Sequence, residues 1–379
     1  MIVKLTGRID SANANVIEEK IKNEINGFSG EIILDASNLE YISSAGLRVI
    51  LRLKKANPDT KIVNCSLDVY DIFDMTGFTE MMEIHKAYRE ISIEGCEVIG
   101  EGANGIVYRT DPDTIVKVYK DPDSLEYIHN ERELARKAFV MGIPTAIPYD
   151  VVKVGNLYGS VFELLNAKSF AKLVREGVST KELAKDCVDI LKIIHNTHLK
   201  AGELPNKKDE VLNWAKVAKP YLSSEVAEKV MKLVNDLPDT LNMIHGDYHI
   251  KNIMRQGSEN LLIDMDTLSL GHPIIELSQI YSAYVGYSCV DKNNCAEFLG
   301  ISREQCQELW DYILKYYFEG KDENYLKEIE RKAAVLSYLH ILRWVVRKFG
   351  VNDPYGSKVI AYCVNYISEN VGTLDSLSF

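Results

Sequence analysis

The sequence predicts an α/β unit of about 90 residues followed by a bilobal α+β domain with a β-rich first lobe and a helical second lobe. Three observations carry this prediction. Short apolar runs alternate with helical periodicity up to Lys86. A glycine string near residue 100 leads into β-rich segments, one with a central lysine. From Ser179 onward, long amphipathic stretches dominate. The expected divisions are 1–90, 91–166 and 167–379.

With 379 residues, 46% hydrophobic and 26% charged, the chain is long enough for two or three domains. A formal charge of −11 and the lack of a clustered Lys/Arg face argue against nucleic-acid or anionic-membrane partners, which require a positive footprint. Seven cysteines (65, 96, 187, 289, 295, 306, 363) form no C-x-x-C pair. Their odd number without a signal peptide points to reduced, mostly buried thiols in the cytoplasm. Without an apolar run of about 18 residues, a soluble chain is expected.

In the first unit, Ile2 to Leu5 alternates like a strand, and Asn13 to Ile25 has helical spacing. Glu31 to Asp35 contains the apolar run of a buried strand. A helix starts at Ser43 or Ser44 and stops before Asn57-Pro58. Lys61 to Cys65 reads as a strand, Ser66 to Met75 as a helix and Gly77 as a turn.

Next comes Gly100-Glu101-Gly102-Ala103-Asn104-Gly105-Ile106-Val107, a G-x-G-x-x-G-x-V string. Gly100, Gly102 and Gly105 allow a hairpin backbone to approach phosphates without Cβ clashes. The pattern also marks dinucleotide folds, and the flanks decide. A dinucleotide site wants a helix starting within the glycines. Here β-rich IVYRT follows, then the strand Thr114 to Tyr119 around Lys117, which is the kinase arrangement. On the helix expected at Leu125 to Val140, Glu131 shares a face with Leu134, Ala135 and Ala138 and so points inward to pair Lys117, while Glu133 faces solvent. DVVKV and LYGSVFELL close the lobe as two strands; in a kinase, Glu163 to Leu165 is the hinge that presents backbone groups to adenine.

The segment IHGDYHIKNIMRQGSENLLIDMD, Ile244 to Asp266, carries the strongest chemical signal. Phosphoryl transfer from ATP needs a carboxylate near the attacking hydroxyl, and an amide oxygen and a second carboxylate for Mg²⁺. The spacing H-x-D-x-x-x-x-N places Asp247 and Asn252 in one loop with His245. Leu261 to Ile263 reads as a short strand delivering Asp264, with Asp266 just beyond. Amphipathic helices are expected at 183–195, 210–221, 224–237, 305–319 and 325–349.

LDASNLEYISSAGLRVIL and FDMTGF resemble the STAS family of sulfate transporters and anti-sigma-factor antagonists, over Met1 to Lys86. That resemblance implies a protein partner and a regulatory phosphoserine at Ser44, although the plainer reading of Ser43 or Ser44 is a helix cap. From residue 95, GEGANGIV, IVKVYK, HGDYHIKN and IDMDTLSLGHPIIELS resemble the aminoglycoside phosphotransferase and choline kinase family, whose fold is protein-kinase-like. The resemblance implies ATP and Mg²⁺ as cofactors and a hydroxyl on a small molecule as phosphate acceptor. It implies Asp247 as catalytic base, Asn252 and Asp264 as metal ligands, Lys117 as phosphate binder and Glu131 as its partner. Asp266 stands at the glycine position of the protein-kinase D-F-G, within the metal-ligand group, and the lack of an A-P-E segment separates the chain from conventional protein kinases. Where the family shows G-D-P-x-x-D-L-A this chain has Gly271-His272-Pro273-Ile274-Ile275-Glu276-Leu277-Ser278, so the resemblance implies Glu276 in place of an aspartate that braces the catalytic loop.

Between Tyr281 and Glu330 there are ten acidic and five basic residues, which suits a cationic acceptor. Tyr281, Tyr284, Tyr287, Trp310 and Trp344 would add cation–π contacts; a solvated acidic face over an aromatic core accounts for the same pattern. Two other functions fit the motifs: a protein kinase acting on a STAS serine or a partner, and an inactive nucleotide sensor.

Overall fold

The structure, a computed structural model of the chain, describes residues 1–102 and 104–379; Ala103 of the glycine string lies outside the described residues. By internal contacts the chain forms two units, Met1–Gly95 with Val151–Gly159, and Cys96–Asp150 with Ser160–Phe379.

The first unit holds β1 (Ile2–Ile9), α1 (Ala14–Ile25), β2 (Ile32–Ile42), α2 (Ser44–Ala56), β3 (Thr60–Cys65), α3 (Leu67–Met75), α4 (Phe78–Met81), β4 (Ile84–Lys86) and β5 (Arg89–Glu90). The first four strands form a parallel sheet in sequence order. Alternate residues Val3, Leu5 and Ile9 of β1 and Ile32, Leu34 and Ala36 of β2 turn to the core with Ile50, Ile62 and Phe73. β2 runs seven residues past the predicted Asp35. Two register shifts against β1 let this polar extension continue the ladder. Ser43 caps α2 by accepting from the Gly46 N–H at 3.5 Å, and Ser66 caps α3. Arg89 and Glu90 lie parallel to Val152 and Lys153.

The second unit opens with β6 (Glu97–Glu101), β7 (Gly105–Asp111) and β8 (Thr114–Tyr119), an antiparallel meander, then α5 (Leu125–Val140). α5 has the predicted bounds. β9 (Asp150–Val154) and β10 (Leu157–Glu163) follow in the chain, their Val151–Gly159 part belonging to the first unit. After β11 (Lys168–Ser169) come α6 (Phe170–Arg175), α7 (Thr180–Asn196), α8 (Lys207–Ala218) and α9 (Ser224–Asn235). β12 (Met243–Ile244), β13 (Ile253–Gln256), β14 (Glu259–Leu262) and β15 (Ser269–Leu270) frame the loops of interest, with β13 and β14 antiparallel and β12 paired to β15. α10 (Pro273–Tyr281), α11 (Tyr287–Val290), α12 (Arg303–Tyr317), α13 (Glu323–Lys348) and α14 (Pro354–Asn370) complete the helical part, with π turns at Ser282–Gly286 and Cys295–Leu299. Its core is built on Trp214, Tyr248, Tyr284, Trp310 and Tyr338. No helix among the described residues is long and apolar enough to cross a membrane.

Candidate active site

Strand register sets the first half of the site. Gly100 stands opposite Val107, and Val107 opposite Lys117. A Cβ on Gly105 would lie 2.7 Å from the Val118 carbonyl oxygen, so only glycine fits there. The Gly102 N–H donates to the Gly105 carbonyl at 2.9 Å and closes the hairpin. A Cβ on Gly100 or Gly102 would meet nothing closer than 3.8 Å, so packing does not demand glycine at these two positions.

Lys117 reaches two carboxylates, Glu131 Oε1 at 2.9 Å and Asp264 Oδ1 at 3.1 Å. Burial opposes its charge, but Glu131 and Asp264 outweigh burial and hold the ammonium pKa above the ordinary lysine value. Glu131 points inward as its helix face predicts; its second oxygen accepts from the Tyr119 hydroxyl, while Glu133 is exposed. Tyr127, one turn before Glu131 on α5, donates its hydroxyl to Asp266. Burial, then the neighbouring Asp264 charge, raises the Asp266 pKa against that hydrogen bond.

The second half is the loop after β12. His245 is fully buried, and its Nδ1 accepts from the Asp247 N–H at 3.2 Å. Gly246 has φ +86°, and a Cβ on it would stand 2.5 Å from the Thr267 carbonyl oxygen. Thr267 in turn donates its hydroxyl to the His245 carbonyl at 2.8 Å. The loop is held from below by Glu276 of α10, a fully buried carboxylate that accepts from the N–H groups of His245 at 2.5 Å and Gly246 at 3.0 Å. Burial works against the Glu276 charge, and His195, His245 and these hydrogen bonds carry its pKa below the usual carboxylate value.

Asp247 keeps 49% of its side chain exposed. Burial pushes its pKa up, but His249 Nε2 at 3.5 Å from Oδ1, His245 and Asn252 bring it down to about 2. Asn252 Nδ2 donates to the Asp247 carbonyl at 3.0 Å and to Oδ2 at 3.2 Å, which turns the amide oxygen away from Asp247. The Ile263 N–H donates to the Asn252 carbonyl at 3.0 Å, tying this loop to Asp264. Asp264 has φ +67°, left-handed backbone that few non-glycine residues adopt, just past β14.

Lys117, Glu131, Asp264 and Asp266 thus form one cluster, and His245, Asp247 and Asn252 a second, joined through the Asn252–Ile263 contact. Glu163 is exposed at the end of β10, and Leu165 is half-buried. The Leu164 N–H between them is taken by the Asp113 carbonyl at 2.8 Å. Among the described residues no group of three or more His, Cys, Asp or Glu is placed to hold a metal ion; the candidate oxygen set is one amide and two carboxylates.

Sequence reasoning did not find Tyr119, Tyr127 and His249. The partners of Tyr127 and Asp266 are 139 residues apart, but His249 was legible two positions after Asp247. The aromatic contacts expected for a cationic acceptor are corrected in part. Tyr281, Tyr284 and Trp310 are buried in the helical core, where Tyr281 and Trp310 pack with centroids 5.2 Å apart, because their helix faces turn toward α13 and α12. In the first unit, Ser43 is the cap of α2, and Ser44, its first residue, is exposed.

Family models match at residues 1–91, a STAS domain, and at residues 95–293, the phosphotransferase enzyme family. The first region is 33% identical over 88 residues to a protein of Bordetella bronchiseptica named as an anti-sigma factor antagonist, BtrV, covering 22% of this chain and 76% of that one. A second relative, acyl-CoA dehydrogenase family member 11 of Pongo abelii, is 24% identical over 259 residues; the match takes in 61% of this chain and only about a third, 32%, of that protein. Among solved structures, an aminoglycoside phosphotransferase IIIa mutant in its GDP complex superimposes with a TM-score of 0.51 at 12% identity, covering 80% of this chain and 98% of the other. Amicoumacin kinase hAmiN with AMP-PNP, Ca²⁺ and its ligand gives 0.50 at 15% identity, covering 82% and 95%. These two likenesses show the fold. Since the second family model takes in more than half of its length, the chain belongs to the phosphotransferase enzyme family, and it carries a STAS domain at residues 1–91.

Proposed function

We propose that the chain transfers the γ-phosphoryl group of ATP, with Mg²⁺, to a hydroxyl of a small molecule, as a cytoplasmic enzyme with an N-terminal STAS regulatory module. The observation that carries this reading is Lys117 held between Glu131 and Asp264, with the Asp247–Asn252 loop tied to Asp264. The candidate set for the ion is all oxygen, as Mg²⁺ requires: the partly exposed Asp264 carboxylate, the Asn252 amide oxygen and Asp266. When bound, the ion offsets phosphate charge. Gly100, Gly102, Gly105 and Val107 cover the nucleotide, Lys117 binds its phosphates while Glu131 orients the ammonium, and Glu163 to Leu165 border the base. Asp247, ionised at neutral pH, orients the acceptor hydroxyl and takes its proton as the new P–O bond forms and the bond to the ADP oxygen breaks. The working boundaries are 1–90, 91–166 and 167–379.

The test is ADP release under MgATP with and without small hydroxylated acceptors. Asp247→Asn should abolish turnover while ATP still raises the melting temperature; turnover retained in the variant would sink the assignment.

A second reading is favoured by the exposure of Ser44 while Ser43 supplies the cap: the kinase phosphorylates its own or a partner STAS serine. Intact mass after MgATP treatment separates the two. One added phosphate, mapped to Ser44 and absent in Asp247→Asn, supports the second; an unmodified chain supports the first.

A further inference from the structure

We propose that the acceptor binds with an anionic group, a carboxylate or a phosphate, held by Lys207 and Arg343 beside the Asp247 loop. This rests on the phosphotransfer reading and names the acceptor class of the same site.

Backbone contacts place Lys207 next to that loop. The Leu270 N–H donates to the Pro205 carbonyl at 2.8 Å, and Asn206 bridges to Leu270. Leu270 belongs to β15, which pairs with β12 immediately before His245. A Cβ on Gly271 would stand 3.1 Å from the Ile244 side chain and 3.3 Å from Lys207 Cβ. α8, which Lys207 opens, packs on α13, which carries His340 and Arg343 one turn apart.

Between these helices, two cations share one carboxylate. Lys207 Nζ is 2.6 Å from Glu210 Oε2, and Arg343 Nη2 is 3.9 Å from Glu210 Oε1. Trp214 donates to the same Glu210 oxygen at 3.4 Å and lies against His340, the rings tilted by 38° with centroids 4.8 Å apart. Burial, with the Arg343 and Lys207 charges, pushes the His340 pKa down to about 4 against Glu210 and Asp247, so His340 is neutral and adds no charge. Arg343 is under-used. Its long contact to Glu210 is a poor fit for a guanidinium fork, and its Nε is buried without a hydrogen-bond partner. The side chain is still 20% exposed, so a ligand can reach it. A planar carboxylate or a phosphate supplies the acceptor oxygens this fork lacks. Of the five aromatic residues that would favour a cation, Tyr281, Tyr284 and Trp310 are buried, and Tyr287 and Trp344 are half-buried.

The experiment measures transfer from labelled MgATP to three acceptor sets: hydroxy acids (D-glycerate, D-gluconate), a sugar phosphate (fructose 6-phosphate), and hydroxylated cations (ethanolamine, choline, kanamycin). A nucleotide-free metabolite extract, split by charge before labelling, is run beside them. Label is expected in the anionic sets, and the hydroxy-acid and sugar-phosphate arms tell carboxylate from phosphate. Arg343→Gln should raise the KM of that acceptor at least about tenfold with a smaller change in kcat, while Glu210→Gln, which frees both cations, should lower it. The two opposite shifts separate recognition from simple loss of folding. Label only in cations or neutral compounds, or an anionic-acceptor KM indifferent to both variants, overturns the inference and leaves phosphotransfer standing. No Asp247-dependent label in any set or extract overturns both.

Discussion

Glu276 offers a sharp quantitative test, because its carboxylate alone answers two buried backbone donors under the Asp247 loop. Glu276→Ala leaves the His245 and Gly246 N–H groups without their acceptor in a site closed to solvent. Each such orphaned donor costs roughly 1–3 kcal/mol, about 2–6 kcal/mol together. For a domain whose total stability is about 5–15 kcal/mol, that is a large fraction. At about 2–4 °C per kcal/mol for a large domain, the melting temperature should fall by roughly 4–24 °C. Glu276→Gln keeps one acceptor oxygen but turns an NH₂ toward the other donor, so it should fall between wild type and alanine. Calorimetric melting of the full chain gives the order, and ADP release at a temperature where all variants are folded should show kcat reduced as the loop loses its brace. The pH dependence has a definite sign. The folded pKa lies below the usual value, so the stabilisation is complete above the unfolded value of about 4.3 and is lost as pH falls through the folded pKa. An alanine variant that melts within about 1 °C of wild type would refute the bracing, since the least expected shift is several times larger.

Two other expectations are simpler. Gly246→Ala places a Cβ 2.5 Å from the Thr267 carbonyl at φ +86°, so it should lose about tenfold or more in kcat and several degrees in melting temperature; a variant with wild-type kinetics would show that the loop relaxes freely. With its pKa held at about 2, Asp247 should impose no acid limb on kcat/KM above about pH 4, whereas His249→Phe removes the leading partner that lowers this pKa and should move an acid limb upward; identical pH profiles for the two proteins would count against the His249 contact.

The parts legible in the sequence share a physical property: their residues are fixed by near neighbours. α5 was readable to its ends, and Glu131 could be turned inward from Leu134, Ala135 and Ala138 alone. The glycine string, Lys117 and the Asp247 loop follow the same logic. α10 escaped because Ile274, Ile275, Leu277 and Ile280 are buried together with Glu276 and Ser278, leaving no polar face to set a period. α14 escaped because its buried positions, Val359, Ile360, Cys363 and Ile367, are interleaved with tyrosines that read as neither face. The extension of β2 was hidden by Ser37, Asn38 and Glu40, which are exposed and interrupt the apolar alternation. The charge partners were less legible: Tyr127 with Asp266 and Arg343 with Glu210 depend on the fold bringing distant segments together, and Glu276 was placed under the loop through the family resemblance alone. The acidic count between Tyr281 and Glu330 left two readings open for a related reason, since composition does not say which charges face the reacting loop.

On the proposed reading, the charges around Lys117 link the two clusters into one site. Around Lys117 a single ammonium contacts two carboxylates, Glu131 and Asp264, and a third, Asp266, lies two residues past Asp264 within reach of its charge. This negative excess holds the Lys117 pKa up and, together with burial, raises that of Asp266. A nucleotide alone would add negative charge to a place that already has too much, whereas a nucleotide arriving with a divalent cation meets carboxylates suited to the metal and a lysine suited to the phosphates. On the proposed reading, Asp264 is the pivot of that exchange. It is the partner Lys117 can release, because Glu131 stays anchored to the same ammonium by its own 2.9 Å contact and to Tyr119 through its other oxygen. Asp264 itself is partly exposed and held in left-handed backbone just past β14. The asymmetry between a buried, doubly anchored glutamate and an exposed, singly anchored aspartate lets one lysine keep its orientation while the second carboxylate turns to the metal.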